Sequence, residues 1–390
     1  MKKFNLSNED LKIYNKAKLA TYIAIFIPLF MWVFLLGHIP IIYEKLELTE
    51  TSWGVFLLIF GSSQILSGQF FSRFITPKQG TRKLIVYGLI LFSITFFFII
   101  FVKNYYVFLF IASALGTSMG LIMPSSNSHL SLIEEKTGDF LQPIFWAFMS
   151  MGGVAGAILA IVLLKVNVNI EWSFFFVFVV GIVVSFFVYF FGLPKKNDFF
   201  GGAENFRLPD KKVILFGIIL FCEFSTVGII MEWSPLWMIG DLNAPLYLGA
   251  LILVAFHGGE IPSRLIGAKL INYFGEMKIG FHLVILGCVA LFISITTMNY
   301  LIITIAAFIF GFATGNTNPI VIKQAIRSTD ENIPTTIANL MTLAFSGLMI
   351  GPGLVGLSAK YIGMTFNMYL LPMIWGICAF IFYLNYVKEK

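Results

Sequence analysis

Apolar runs of roughly 20 residues recur along the whole chain, and each is continuous, not alternating. A helix rises about 1.5 Å per residue, so a run of that length crosses about 30 Å of hydrocarbon. In lipid only helices and closed barrels satisfy their own backbone groups, and unbroken apolar runs select helices. The pattern predicts twelve spans, at residues 19–43, 53–74, 83–102, 105–130, 141–165, 172–193, 213–239, 246–273, 279–298, 300–325, 335–360 and 364–387.

The longest polar interruption is residues 194–212, where five of nineteen residues are Lys or Arg. Such a stretch buries too little apolar area to offset its ordering entropy and reads as a soluble linker. It divides the chain into 1–193 and 213–390, six spans each. Shifting the chain by 195 residues superposes Gly54 on Gly249, Gly80 on Gly275, Gly116 on Gly311, Gly120 on Gly315, Gly152 on Gly347, Gly156 on Gly351 and Gly181 on Gly376. Chance gives about 1.5 such coincidences, so seven point to a duplication. Six spans is an even number, so the two copies run parallel. The expected fold is an all-α membrane protein of twelve transmembrane helices in two parallel six-helix repeats.

Charge orients this bundle. With the N-terminus inside, 22 of the 26 Lys and Arg fall on one side and only Lys45, Lys103, Lys165 and Lys360 on the other. The positive-inside rule then places both termini and the linker of this multi-pass protein in the cytoplasm. The net charge of +6 does not suggest nucleic acid, because the basic residues sit in short loops and form no single face. Cys222, Cys288 and Cys378 lie inside apolar runs without paired spacing and read as small buried hydrophobes. The first eighteen residues are polar and the first apolar run is too long for a signal core, so no cleavable leader is expected. No Gly-Lys-Ser phosphate loop, metal-ligand spacing or nucleophilic triad occurs, so neither an enzyme nor a cofactor is expected.

Between the second and third spans the chain reads Gly68-Gln-Phe-Phe-Ser72-Arg73, then an insertion, then Gly80-Thr-Arg82-Lys83. Its echo is Gly267-Ala-Lys269-Leu-Ile-Asn272-Tyr273-Phe-Gly275 with Lys278. These segments resemble the glycine-and-basic loop of the major facilitator superfamily, and the resemblance extends over the whole chain. Ser72 and Asn272 stand where that motif carries an acid. Trp32 with His38-Ile39-Pro40, Asn127-Ser128-His129, Phe145-Trp146-Ala147, Glu232-Trp233-Ser234 and Gly351-Pro352 resemble the fucose permease-like branch of bacterial inner-membrane transporters. His38 replaces an Arg common there, and Val227 stands where relatives tend to carry a Glu. The resemblance implies a midplane cavity lined by helices 1, 4, 7 and 10. It also implies gating turns built from Arg73, Arg82, Lys83, Arg264, Lys269 and Lys278.

An ionisable side chain inside a span costs a few kcal/mol and faces a cavity or a partner. Glu223 lies about eleven residues into the seventh span and is either a proton-coupling carboxyl or a structural hydrogen-bonding group. Glu232, nine residues on, precedes Trp233 and Pro235 in a stretch that reads as an outer gate or as an aromatic interface belt. His257, Glu260 and Arg264 share a helix face, as a proton relay or as a stabilised ion pair. Asn316 and Asn318, with Asn127, offer amides suited to hydroxyls, and Trp32 and Trp146 offer rings for stacking on a sugar. The glycine pairs at small-xxx-small spacing read first as close helix packing.

The expectation is a monomeric secondary transporter that moves a small polar organic solute, with a sugar or polyol favoured, by alternating access coupled to protons. Its expected solute-binding residues are Trp32, His38, Asn127, Trp146, Glu223, Glu232, Trp233, Asn316 and Asn318; its expected proton-coupling residues are Glu223, His257 and Glu260. Two other readings stay open, efflux of amphipathic compounds and a transporter-like sensor that binds without flux.

Overall fold

The computed structural model of the chain describes residues 7–198, 210–329 and 333–388. Twelve helices in it are long and apolar enough to span a membrane. They are α1 (Asn8–Lys45), α2 (Glu50–Gln79), α3 (Thr81–Phe101), α4 (Tyr105–Thr137), α5 (Gln142–Lys165), α6 (Ile170–Phe191), α7 (Lys211–Gly240), α8 (Leu251–Phe274), α9 (Glu276–Thr297), α10 (Tyr300–Ser328), α11 (Ile333–Ile362) and α12 (Met364–Asn385). Of the polar stretch 194–212, residues 199–209 lie outside the described residues. The end of the bundle carrying residue 7, the α6–α7 crossing and residue 388 is the linker end; the opposite end is the far end.

The helix neighbours repeat with a period of six. α1 packs on α4, α5 and α6 as α7 packs on α10, α11 and α12; α2 lies on α4 as α8 lies on α10; α3 lies on α4 and α6 as α9 lies on α10 and α12. The glycines explain the close approaches. A Cβ added at Gly152 or Gly156 would strike the α1 backbone at Phe26 and Phe30, and one added at Gly347 or Gly351 would strike α7 at Phe221 and Ser225. Both partners sit 195 residues on, so the packing itself is duplicated. Without a hydrophobic force between helices in lipid, such small-residue contacts hold them together. Gly80 and Gly275, another of the matched pairs, open α3 and α9 with φ of +82 and +85. That conformation is one only glycine adopts cheaply.

α2 is not a regular helix. Phe71–Ile75 forms a π-turn just before Pro77, and Thr76 Oγ1 donates to the Phe71 carbonyl at 3.0 Å. Large apolar side chains such as Phe110, Phe176, Phe186, Phe190 and Phe380 are exposed on the outside of the bundle. A surface of that kind is what a hydrocarbon solvent requires.

Candidate functional site

The two halves meet along α2–α11 and α5–α8, and α1 meets α7. At the far end all three seams are shut. Trp32 Nε1 donates to Glu232 Oε1 at 2.9 Å, and Trp53 Nε1 points to the Glu232 carbonyl at 3.4 Å. A Cβ on Gly54 would lie 2.7 Å from Gly356 Cα, and Lys165 Nζ sits 5.9 Å from the Tyr247 ring centroid. Towards the linker end, Gln69 Nε2 reaches Thr342 Oγ1 at 3.4 Å and Arg264 bonds to α5, but among the described residues no comparable packing joins α4 to α10. The halves are therefore closed over the far end and parted between α4 and α10.

The α5–α8 seam holds a buried polar cluster. His257 Nδ1 lies 2.8 Å from Glu260 Oε2, and Arg264 Nη2 donates to Glu260 Oε1 at 2.6 Å. Ser150 Oγ of α5 also donates to Glu260 Oε2 at 2.8 Å. Arg264 Nη1 donates to the Trp146 carbonyl at 2.6 Å and to Ser150 Oγ. The i, i+3, i+7 face of α8 is thus an ion-paired group that bonds the second half to the first. His257 Nε2 has no partner, and its ring lies over Gly153.

Glu223 is buried on α7, and its Oε2 has no hydrogen-bond partner. An unsatisfied buried carboxyl oxygen is costly, all the more if the group is ionised.

Glu232 is equally buried and also has an orphan oxygen, Oε2. The Trp32 ring that bonds it stacks on Phe60, with centroids 4.4 Å apart. Trp233 faces the other way, with Nε1 donating to the Pro352 carbonyl of α11 at 3.0 Å.

The remaining sequence candidates scatter. His38 bonds the Phe34 carbonyl at 2.9 Å and meets Phe174 of α6 edge-on, so it packs inside the first half. Asn316 gives its amide to Ser263 Oγ at 2.6 Å and to the Ser263 carbonyl at 2.8 Å, tying α10 to α8. Asn318 keeps an unpartnered buried Oδ1, and Asn127 donates back to the Met123 carbonyl of its own helix at 3.1 Å. Trp146 is half-buried, its ring edge-on to Phe145. Of the basic residues, Arg73 lies in the π-turn of α2 and Arg82 reaches over the Tyr189 ring. Lys83 bonds Gln79 at 3.4 Å, and Lys269 and Lys278 lie at the linker end.

Sequence reasoning missed a polar node at the linker end. Asp198 accepts from Thr81 N at 2.9 Å, from Arg82 N at 2.9 Å and from Thr81 Oγ1, so it caps the start of α3. His129 Nδ1 lies 2.6 Å from Thr81 Oγ1, and His129 Nε2 accepts from Leu193 N at 3.1 Å. Asn197 Nδ2 donates to the Tyr14 hydroxyl at 2.9 Å. A carboxylate at a helix N-terminus satisfies orphan N–H groups and complements the helix dipole. The loop after α2 lacks an acid of its own, and Asp198 supplies one from beyond α6. The start of α9 is anchored by its own acid, since Glu276 accepts from Gln324 at 2.6 Å and pairs with Arg327 at 2.9 Å and with Lys323.

The Major Facilitator Superfamily profile matches residues 21–352. An uncharacterised transporter of that type from Yersinia pestis is 21% identical over 327 residues, which cover 83% of each chain. The membrane protein MosC of Rhizobium meliloti is 26% identical over 163 residues, 40% of this chain and 39% of its own. Among solved structures, a bacterial homologue of the human lysosomal transporter Spinster, inward-facing and unoccupied, aligns at a TM-score of 0.68. It is 13% identical over 95% of this chain and 96% of its own. A variant of the nucleoside transporter NupG aligns at 0.73 with 10% identity, over 94% of this chain and 99% of its own.

Proposed function

We infer that this chain, which belongs to the Major Facilitator Superfamily, moves a small polar organic solute across the cytoplasmic membrane by alternating access, with protons as the coupling ion. The carrying observation is Glu223: a buried carboxyl with one unpartnered oxygen, inside a span. Ionisable groups at such depth are retained for ion or substrate pathways. Its proton exchanges with the linker side when the halves part there, and Arg264 offers a replacement charge partner when the α5–α8 seam loosens. His257 and Glu260 hold that Arg in place.

The rocking bodies are residues 1–193 and 213–390, joined by 194–212, and the unit is a monomer. The skew of 22 basic residues to 4 supports a cytoplasmic linker end, which makes this conformation inward-facing. Trp146, Asn127, Asn318 and Trp32 supply rings and amides for a sugar or polyol, in keeping with the sequence resemblance to the fucose permease-like branch. Efflux of amphipathic compounds ranks lower, because so much of the Phe content lies on the outer surface.

The test uses reconstituted full-length protein. A thermal-shift screen of sugars, polyols, nucleosides and organic acids first identifies a solute, since a ligand stabilises the state it binds. Wild-type liposomes are expected to accumulate that solute under an inward proton gradient, whereas Glu223→Gln exchanges it without accumulation. Accumulation by Glu223→Gln at the wild-type level would refute proton carriage by Glu223, and binding without flux would mark a sensor.

A further inference from the structure

We infer that Glu232 is a second proton-carrying carboxyl, filled from the far side and sealed as the neutral acid when the two halves shut over it. It lies about 13 Å along α7 from Glu223, at nine residues of helical rise. The inference builds on the alternating-access reading, but its readout is closure of the far end and needs no solute.

Three observations carry it. The carboxyl bonds the two halves, since Oε1 accepts a hydrogen bond from Trp32 Nε1–H of α1 while Trp53 Nε1–H of α2 points to the Glu232 carbonyl. Its other oxygen is buried without any partner. Among the described residues, no charged group pairs with it. The helices packed on α7 carry, from mid-span to the far end, His38, Tyr43, Glu44 and Lys45 on α1, His257 on α8, Tyr300 on α10, Lys360 and Tyr361 on α11 and Tyr369 on α12; Glu50 lies on α2, and Glu223 and Asp241 on α7 and at its end. None of these forms an ion pair or hydrogen bond with Glu232; His38 bonds the Phe34 carbonyl and Lys45 the Ile100 carbonyl.

An isolated carboxylate sealed among Trp32, Trp53 and Phe60 would carry a desolvation cost of several kcal/mol, against about 1–3 kcal/mol for one unmatched polar group on a neutral acid. Once the far end opens, water solvates the anion. Closing therefore takes up one proton from the far side, and the bond from Trp32 survives because the acid's carbonyl oxygen still accepts. The sign follows from linkage: the closed form holds one more proton, so closure is favoured at low pH and lost as pH rises. One proton per closure gives about a tenfold change in the closed-to-open ratio per pH unit.

The experiment is a distance measurement on full-length protein in lipid nanodiscs. Spin labels at Glu44→Cys and Tyr361→Cys, both exposed at the far end, report the separation of the halves between pH 5 and 8, with Cys288→Ala removing the half-buried native thiol. The expected result is a closed fraction that falls with rising pH, with a slope one proton smaller in Glu232→Gln, whose amide oxygen keeps the Trp32 bond. Trp32→Phe, which loses the bond but keeps the acid, is expected to shift the population towards open while retaining the pH slope. The inference is overturned if the slope is unchanged in Glu232→Gln, or if wild-type protein shows none. Failure of the Glu223 reading leaves this slope intact, so the two outcomes are separable.

Discussion

At the far end, α2 and α11 touch backbone to backbone. A Cβ at Gly54 would lie 2.7 Å from Gly356 Cα and 3.3 Å from the Gly353 carbonyl oxygen, all atoms that cannot rotate away. Carbon atoms pack best at about 3.5–4.0 Å, so Gly54→Ala demands that the helices part by roughly 1 Å there. A displacement of that size already forfeits a quarter to a half of each lost contact's dispersion energy. Overpacking of this kind costs about 1–3 kcal/mol. The open state carries no such penalty, because the contact exists only when the seam is shut. The closed-to-open ratio should therefore fall by about 5- to 150-fold. A thiol placed by Leu58→Cys, whose parent side chain lies on Gly353 across the same seam, reports the change. Its reaction with a membrane-impermeant reagent should accelerate by that factor in Gly54→Ala. Gly376→Ala is the control, since a Cβ there meets nothing within 4 Å. A Gly54→Ala rate within about twofold of that control would refute the reasoning, because a 1 kcal/mol penalty alone gives about fivefold.

Two further outcomes are expected from the polar nodes. Arg264→Met strands Glu260 with only His257 and Ser150 and should cost about 3–5 kcal/mol, read as a lowered thermal midpoint in detergent, with Glu260→Gln in the same chain recovering most of it; no recovery would mean that Arg264 acts through packing alone. Asp198→Ala removes the acceptor of two α3 amides and should cost about 1–2 kcal/mol by the same measurement, with Asp198→Asn milder because an amide oxygen still caps; an unchanged midpoint in Asp198→Ala would show that water replaces the cap.

Much of the architecture was legible in the chain because lipid permits so few solutions. Every predicted span has a helix on it, and the matched glycines recur as matched contacts on Phe26 and Phe221 and as the left-handed pair Gly80 and Gly275. The grouping of His257, Glu260 and Arg264 follows from helical spacing alone. What spacing could not give was the partner across a seam. Ser150 carries no mark that sets it apart from other serines, and it reaches Glu260 across a seam where Gly153 lets α5 come close to His257. His38 looked like a cavity residue from its neighbours in sequence, yet its angle round α1 turns it towards Phe174. The π-turn at Phe71–Ile75 shifts the register of α2 by a local winding that composition does not announce. Asp198 sat in plain view inside a stretch that looked merely soluble, because its role depends on a loop 117 residues earlier that lacks an acid.

That last separation bears on how the chain is made. α3 enters the membrane with its first amides uncapped, and their acceptor is synthesised only after α4, α5 and α6 have followed. The same node fastens Leu193, at the end of α6, to His129 of α4. The clasp therefore forms only when the sixth helix is in place. Chains released shortly before position 198 should fray at α3 and be open to proteases, while those released just after it should survive. The first half thus carries its own completion signal, written in the opening residues of the segment that joins it to the second.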